Sequence, residues 1–156
     1  AVWRRFGYRI QLTYPSFASR KELWTQFLDE SDFNDRDVEM LSDLSEGMSG
    51  SDIQEVGRRL SRLKITTQRT PELSDAFRVL QNMSLGTQNH DSFLATLQGT
   101  ETREIASALR ERNPKIYSHA AVGHLLGVSK ATAFRQTQSL KKRRSNGNPA
   151  KKTRKS

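Results

Sequence analysis

The stretch Glu46-Gly47-Met48-Ser49-Gly50-Ser51-Asp52-Ile53 gathers residues that let a backbone approach a flat ligand closely. Gly47 has the character of a helix end, where a residue without Cβ takes the left-handed conformation that closes the last turn. Ser49 and Asp52 have the spacing of a capping box for the next helix. Met48 and Ile53 stand at the two positions of a hydrophobic staple on either side of that cap. The expectation is a tight helix-to-helix corner whose tip, Gly50 and Ser51, leaves the backbone open. The plainest reading is an ordinary αα corner, and the flanking sequence has to decide between the two.

No other constellation on the chain suits covalent or metal chemistry. His119 and His124 lie five apart, a poor spacing for one helix face, His90 stands in a loop-like stretch, and no second ligand type accompanies them. No nucleophile–base pair can be assembled, and no metal site is expected. The absence of Cys removes disulfides and thiolate sites and fits an intracellular protein. The chain has no apolar run near the roughly 18 residues of a membrane span and no secretory signal, so no membrane partner is expected.

The 156 residues carry a formal charge of +9, unevenly placed. Residues 1–100 hold 12 basic and 14 acidic side chains, residues 101–140 hold 6 and 3, and Lys141–Ser156 holds 8 basic residues and no acid. The end that would face a polyanion is the C-terminus.

At the N-terminus, Ile10, Leu12 and Tyr14 alternate with polar Gln11 and Thr13, which predicts a short strand ended by Pro15. A lone strand makes no sheet, so it is either an orphan or has neighbours before Ala1, where the chain opens directly inside a patterned segment. Ser19 and Glu22 have capping-box spacing and predict a helix with Leu23, Trp24, Phe27 and Leu28 on one face. Asn34 and Asp37 predict the next helix, with Val38, Leu41 and Leu44 inward. After the corner, Ile53, Val56, Leu60 and Leu63 share one face of a helix studded with Arg58, Arg59, Arg62 and Lys64. Thr70-Pro71-Glu72 predicts another helix with Pro at its first position, burying Leu73, Ala76, Phe77 and Leu80. Four short amphipathic helices of this kind form a small bundle.

Two parts of this segment resemble the AAA ATPases, and together they cover about residues 1–83. Ala1-Val2-Trp3-Arg4-Arg5-Phe6, then Arg9-Ile10, Pro15 and Arg20, resembles the arginine-finger segment, closest in flavour to the katanin and spastin group. Gly47, Ser49, Gly50, Asp52 and Ile53 match the motif that opens the long helix of the AAA helical lid, with Ser51 where Ala is usual. The resemblance implies that Arg4 or Arg5 reaches the γ-phosphate held by a neighbouring subunit, where a planar, permanently charged fork can neutralise the charge of phosphoryl transfer. It implies that Gly50 and Ser51 lie near the adenine and ribose of ATP. It also implies ATP and Mg²⁺ as cofactors of an intact homo-oligomeric ring, a hexamer by family habit. These 156 residues hold no phosphate loop and no strand ending in acidic Mg²⁺ ligands. The expectation is therefore the C-terminal part of a longer ATPase, inactive by itself.

Ser84–Asn89 is rich in small and polar residues and is expected to link a second module. Helices are predicted over Ser92–Gln98 and Glu101–Arg112, the latter with Ile105, Ala108 and Leu109 inward and Asn113-Pro114 as its stop. Ser118 caps a short helix carrying Val122, Leu125 and Leu126, and a last helix is predicted over Lys130–Leu140. Leu126-Gly127-Val128-Ser129-Lys130-Ala131-Thr132-Ala133-Phe134-Arg135 resembles the helix-turn-helix of bacterial DNA-binding proteins. Gly127 permits the left-handed turn, Val128 plugs the gap between helices and Ser129 caps the recognition helix. Ala133, Thr137 and Leu140 should face inward, with Ala131, Arg135 and Gln138 pointing away. Arg135 suits guanine and Gln138 adenine, while Ser129 and Lys130 suit phosphates. The basic run from Lys141, Lys142, Arg143 and Arg144 onward cannot bury a core and is expected to be a disordered arm attracted to the phosphate backbone.

The sequence thus predicts a mainly α protein in four parts: 1–17 the end of an AAA core with one residual strand, 18–86 the helical lid, 90–140 a helix-turn-helix module and 141–156 a basic tail. DNA is the expected partner, and the bacterial cytoplasm or nucleoid the expected location. The rival reading is a non-enzymatic helix-turn-helix regulator whose N-terminal helices only dimerise or bind a partner; a basic RNA-binding protein is a weaker third.

Overall fold

The computed structural model describes residues 13–84 and 93–146 and is mainly α, with eight helices among the described residues and no strand. The helices are α1 (Phe17–Phe27), α2 (Asp35–Leu44), α3 (Gly50–Thr67), α4 (Leu73–Ser84), α5 (Phe93–Thr96), α6 (Thr102–Arg112), α7 (His119–Leu126) and α8 (Lys130–Asn146). Helix α1 packs on α2 and α3, α4 joins α3 to α7, and α6, α7 and α8 pack on one another. None of these helices is long and apolar enough to cross a membrane.

The starts of α2, α3, α7 and α8 are set by the local chemistry that the spacing implies. Asn34 accepts from the backbone N–H of Asp37 at 3.2 Å, and the Asp37 carboxylate accepts from the Asn34 N–H at 3.1 Å. Ser49 and Asp52 make the same reciprocal pair at 3.2 and 2.9 Å. Each satisfies two donors that a helix start leaves orphaned. The buried stripes also fall where the periodicity puts them: Val38, Leu41 and Leu44 on α2, Ile53, Val56 and Leu60 on α3, and Leu73, Ala76, Phe77 and Leu80 on α4.

Four local expectations are corrected. Helix α1 starts before Ser19, because Ser16 takes the cap and accepts from the Ser19 N–H at 3.2 Å. Pro71 lies two residues ahead of α4, because Glu72 supplies the first carbonyl, to Asp75 and Ala76, and the Asp75 carboxylate closes back on the Glu72 N–H at 2.9 Å. Helix α5 is a single turn, although its Leu94 and the following Leu97 are buried. Helix α8 continues past Leu140 to Asn146, since Lys, Arg and Ser are all compatible with a helix. The helical backbone therefore takes in Lys141, Lys142, Arg143 and Arg144, which were expected to be disordered. Residues 147–156 lie outside the described residues, as do Ile10–Leu12 of the expected strand and most of the expected linker. Thr13 and Tyr14 are irregular, and Tyr14 is 60% exposed.

The two expected modules share one hydrophobic cluster, which runs from Trp24, Leu41 and Ile53 through Leu80 to Leu109, Leu125 and Ala133. Polar links join them at the end of α2. Arg112 of α6 donates from Nε to the Asp43 carboxylate at 2.6 Å and from Nη2 to Glu46 at 2.6 Å. The Tyr117 hydroxyl donates to the same Asp43 carboxylate at 2.7 Å. The Arg112 guanidinium also lies 4.5 Å from the centre of the Phe93 ring, within cation–π range. Burial alone would pull the Arg112 guanidinium down, but hydrogen bonds to Asp43 and Glu46 outweigh it and hold it above its ordinary range. Burial, reinforced by Asp43, pushes the Tyr117 hydroxyl far up, so it stays a donor.

Helix α1 is tied to the same place. The buried Arg20 donates to the carbonyls of Ser42 at 2.7 Å and Pro15 at 2.8 Å, and the Trp24 indole donates to Ser45 Oγ at 3.0 Å. Burial lowers the Arg20 pKa from its ordinary value.

The Arg112–Asp43 pair yields a first prediction. With side chains 21% and 14% exposed, removing Arg112 leaves a largely desolvated carboxylate without its paired cation and with the Tyr117 hydroxyl as a donor. Arg112→Ala should cost about 2–3 kcal/mol. In a Trp3→Phe background, the Trp24 fluorescence and far-UV circular dichroism transitions in urea should move together to lower denaturant. A Trp24 transition unchanged by Arg112→Ala would show that α1–α4 are stable without α6.

Candidate nucleic-acid interface

Helices α7 and α8 meet at the turn Gly127-Val128-Ser129. Ser118 caps α7, accepting from the Ala121 N–H at 3.3 Å. Gly127 closes that helix in the left-handed region at φ +67°, where an L side chain is strained. The Val128 N–H then donates to the Gly123 carbonyl at 2.8 Å, and Val128 packs half-buried against the core. Ser129 starts α8, its hydroxyl accepting from the Thr132 N–H at 3.1 Å and its carbonyl from the Ala133 N–H at 2.9 Å.

Gly123 is a site residue that the sequence reading missed. A Cβ there would lie 2.7 Å from the Val128 carbonyl oxygen and 3.3 Å from the Lys130 nitrogen. Both are backbone atoms, so the close crossing of α7 and α8 needs glycine at this position. The available signal was a glycine inside a predicted helix four residues before the turn glycine. An interior helical glycine costs about 1 kcal/mol relative to Ala and so implies a packing reason.

Among the described side chains the faces of α8 divide as the spacing predicts, and Leu140, also expected inward, lies outside them. Ala133 and Thr137 are buried, whereas Lys130, Ala131, Arg135 and Gln138 are exposed. Phe134 joins them at 48% exposure. Ala131, Phe134, Arg135 and Gln138 stand at i, i+3, i+4 and i+7, a continuous outward stripe about 100° wide. Helix α8 contains Lys130, Arg135, Lys141, Lys142, Arg143 and Arg144 and no acidic residue. Beside the stripe, the His119 ring sits 5.0 Å from that of Phe134 at a tilt of 58°, with His119 Nε2 3.1 Å from Thr137 Oγ1. His119 was weighed in the sequence only as a metal ligand; here it is a structural partner of the exposed aromatic.

The other expected site lies apart in sequence. Arg4 and Arg5 fall outside the described residues. Gly50 and Ser51 form the first turn of α3, Ser51 exposed and its hydroxyl 2.8 Å from that of Ser49. Met48 and Ile53 are both buried, as a staple requires. A Cβ built on Gly50 would make only ordinary contact, 3.6 Å from Leu23 Cδ1. The protein's own packing therefore leaves room for a larger residue there.

The turn yields the second prediction. Gly123→Ala should destabilise the protein by about 1–3 kcal/mol through backbone displacement, and Gly127→Ala by about 1–2 kcal/mol through the left-handed φ. Gly127→Asn should recover part of the second loss, because Asn tolerates that conformation, and should recover none of the first when placed at Gly123. Urea unfolding of the four variants measures this; equal stability of Gly123→Ala and parent would show that the crossing relaxes freely. Comparison of the chain with protein-family models, curated proteins and solved structures finds no match.

Proposed function

We propose that the chain is a DNA-binding unit of the helix-turn-helix type, carried on the helical lid of an AAA-type ATPase. The observation that carries the DNA-binding part is the α7–α8 corner. Its backbone is held by Gly123, Gly127 and Ser129, and it projects a stripe of Ala131, Phe134, Arg135 and Gln138 from a helix free of acids. A rigid helix of this kind fits the major groove by its N-terminal half. Arg135 pairs with the N7 and O6 acceptors of guanine and Gln138 with the N7 and N6 edge of adenine. Ser129 and Lys130 contact phosphates at the helix start, and Lys141, Lys142, Arg143 and Arg144 extend the charged helix along the backbone.

The lid part of the proposal is supported by the α2–α3 corner. Its capping box and staple form as the residue spacing implies, and Gly50 is a glycine that internal packing does not demand. In this reading Gly50 and Ser51 face the nucleotide, the phosphate loop and Mg²⁺ ligands lie outside these 156 residues, and Arg4 or Arg5 acts on the nucleotide of a neighbouring copy in a ring. The α6–α8 unit then brings that ring to DNA in the cytoplasm or nucleoid.

Two expected outcomes test the two parts. For DNA, each phosphate neutralised contributes a slope of about −0.9 in log K against log salt. Removing residues 147–156 should flatten that slope and weaken every duplex alike. Arg135→Ala should keep nonspecific binding nearly intact and relax preference at one base pair by about 1–3 kcal/mol. A salt titration of parent, truncation and Arg135→Ala on several duplexes distinguishes them; an Arg135→Ala protein indistinguishable from parent on all of them removes the recognition-helix assignment. For catalysis, the chain is extended by its upstream coding sequence and assayed for ATP turnover. Arg5→Ala should lower the rate by on the order of 10³ while nucleotide binding persists, and normal rates for both Arg4→Ala and Arg5→Ala would remove the finger.

A further inference from the structure

We propose that Phe134 is a specificity residue that reads the C5-methyl group of a thymine in the major groove; this rests on the DNA-binding reading above. Three observations carry it. Phe134 is 48% exposed on the same stripe as Ala131, Arg135 and Gln138, while the core-facing side of α8 is occupied by Ala133 and Thr137. The Phe134 ring is held from the side by His119 at 5.0 Å, and His119 lies within hydrogen-bond distance of the buried Thr137. The aromatic is thus fixed in place beside the two polar candidates for base reading. Finally, Phe134 carries no donor or acceptor, so it can neither bond a phosphate nor pair with the polar edge of a base.

The groove floor narrows the choice of partner. Guanine, cytosine and adenine present acceptors and donors there, and covering any of these with an apolar ring leaves them unsatisfied. Thymine alone among the four ordinary bases presents a methyl group, which gains by contact with an apolar side chain. Ala131, one turn back on the same stripe, extends the apolar surface without adding a polar group. A ring in this position therefore selects T·A at one pair, independently of the guanine that suits Arg135 and the adenine that suits Gln138.

The test uses the full chain and duplexes selected by it from a randomised library. Each thymine of the selected duplex is replaced, one at a time, by deoxyuridine, which preserves every hydrogen bond and deletes only the methyl. The parent should lose about fourfold in affinity at one position, the equivalent of about 0.8 kcal/mol for one buried methyl-sized group. Phe134→Ala should bind the thymine and uracil duplexes equally, near the parent's affinity for the uracil form, and Phe134→Leu should keep part of the difference. Far-UV circular dichroism and sedimentation of each variant check the fold and the oligomeric state.

A parent that shows no uracil penalty at any position overturns the inference whether or not the variants fold, and leaves the helix-turn-helix reading standing. A penalty that persists unchanged in folded Phe134→Ala also overturns it, as does a Phe134→Ala effect confined to self-association. Failure of the parent to bind any duplex overturns the DNA-binding reading, and this inference with it.

Discussion

The constraint on which the rest depends is the carboxylate of Asp43 at the end of α2. It is largely withdrawn from water, so a lone negative charge there would be costly, and Arg112 and Tyr117 satisfy it at 2.6 and 2.7 Å. A partly buried ion pair of this sort adds little over an apolar substitute but penalises any arrangement that separates its members. It therefore acts more as a specifier of how α6 sits on α2 than as a source of net stability. Glu46, 61% exposed, adds only a screened contact.

The same end of α2 also receives α1, through Arg20 on the Ser42 carbonyl and Trp24 on the Ser45 hydroxyl. Ser42, Asp43, Ser45 and Glu46 thus gather α1 and α6 within one helical turn. That turn runs directly into Gly47 and the capped start of α3. The proposed nucleotide corner and the proposed DNA-binding unit consequently both adjoin the end of α2. Further links from α2 reach α7, Arg36 to the Ser118 hydroxyl at 2.9 Å and His124 to Asp37 at 3.5 Å.

At the α7–α8 corner, rigidity has a different origin. Here backbone meets backbone, with Gly123 admitting the Val128 carbonyl and Gly127 turning the chain. The proposed reading of bases would require side chains to be placed to within a fraction of an ångström, and a crossing fixed by backbone contacts suits that requirement. The stripe on α8 gains further definition from His119, which restrains the one large apolar group in it.

Features that depend on residues three or four apart were legible in the sequence alone. The caps at Asn34, Ser49, Ser118 and Ser129, the left-handed Gly47 and Gly127, and the split of α8 into Ala133 and Thr137 inward against Ala131, Arg135 and Gln138 outward all follow from helical geometry. Where two local solutions competed, spacing did not decide. Ser16 took the cap that Ser19 was expected to hold, and Glu72 displaced Pro71 from the start of α4. Only the tertiary structure disclosed that Asp43 meets Arg112 across 69 residues, that Tyr117 is wholly buried, and that His119 braces Phe134. A charged or aromatic residue on a helix announces its own chemistry but not its partner, because the pairing is selected by how distant faces pack, and no sequence period records that.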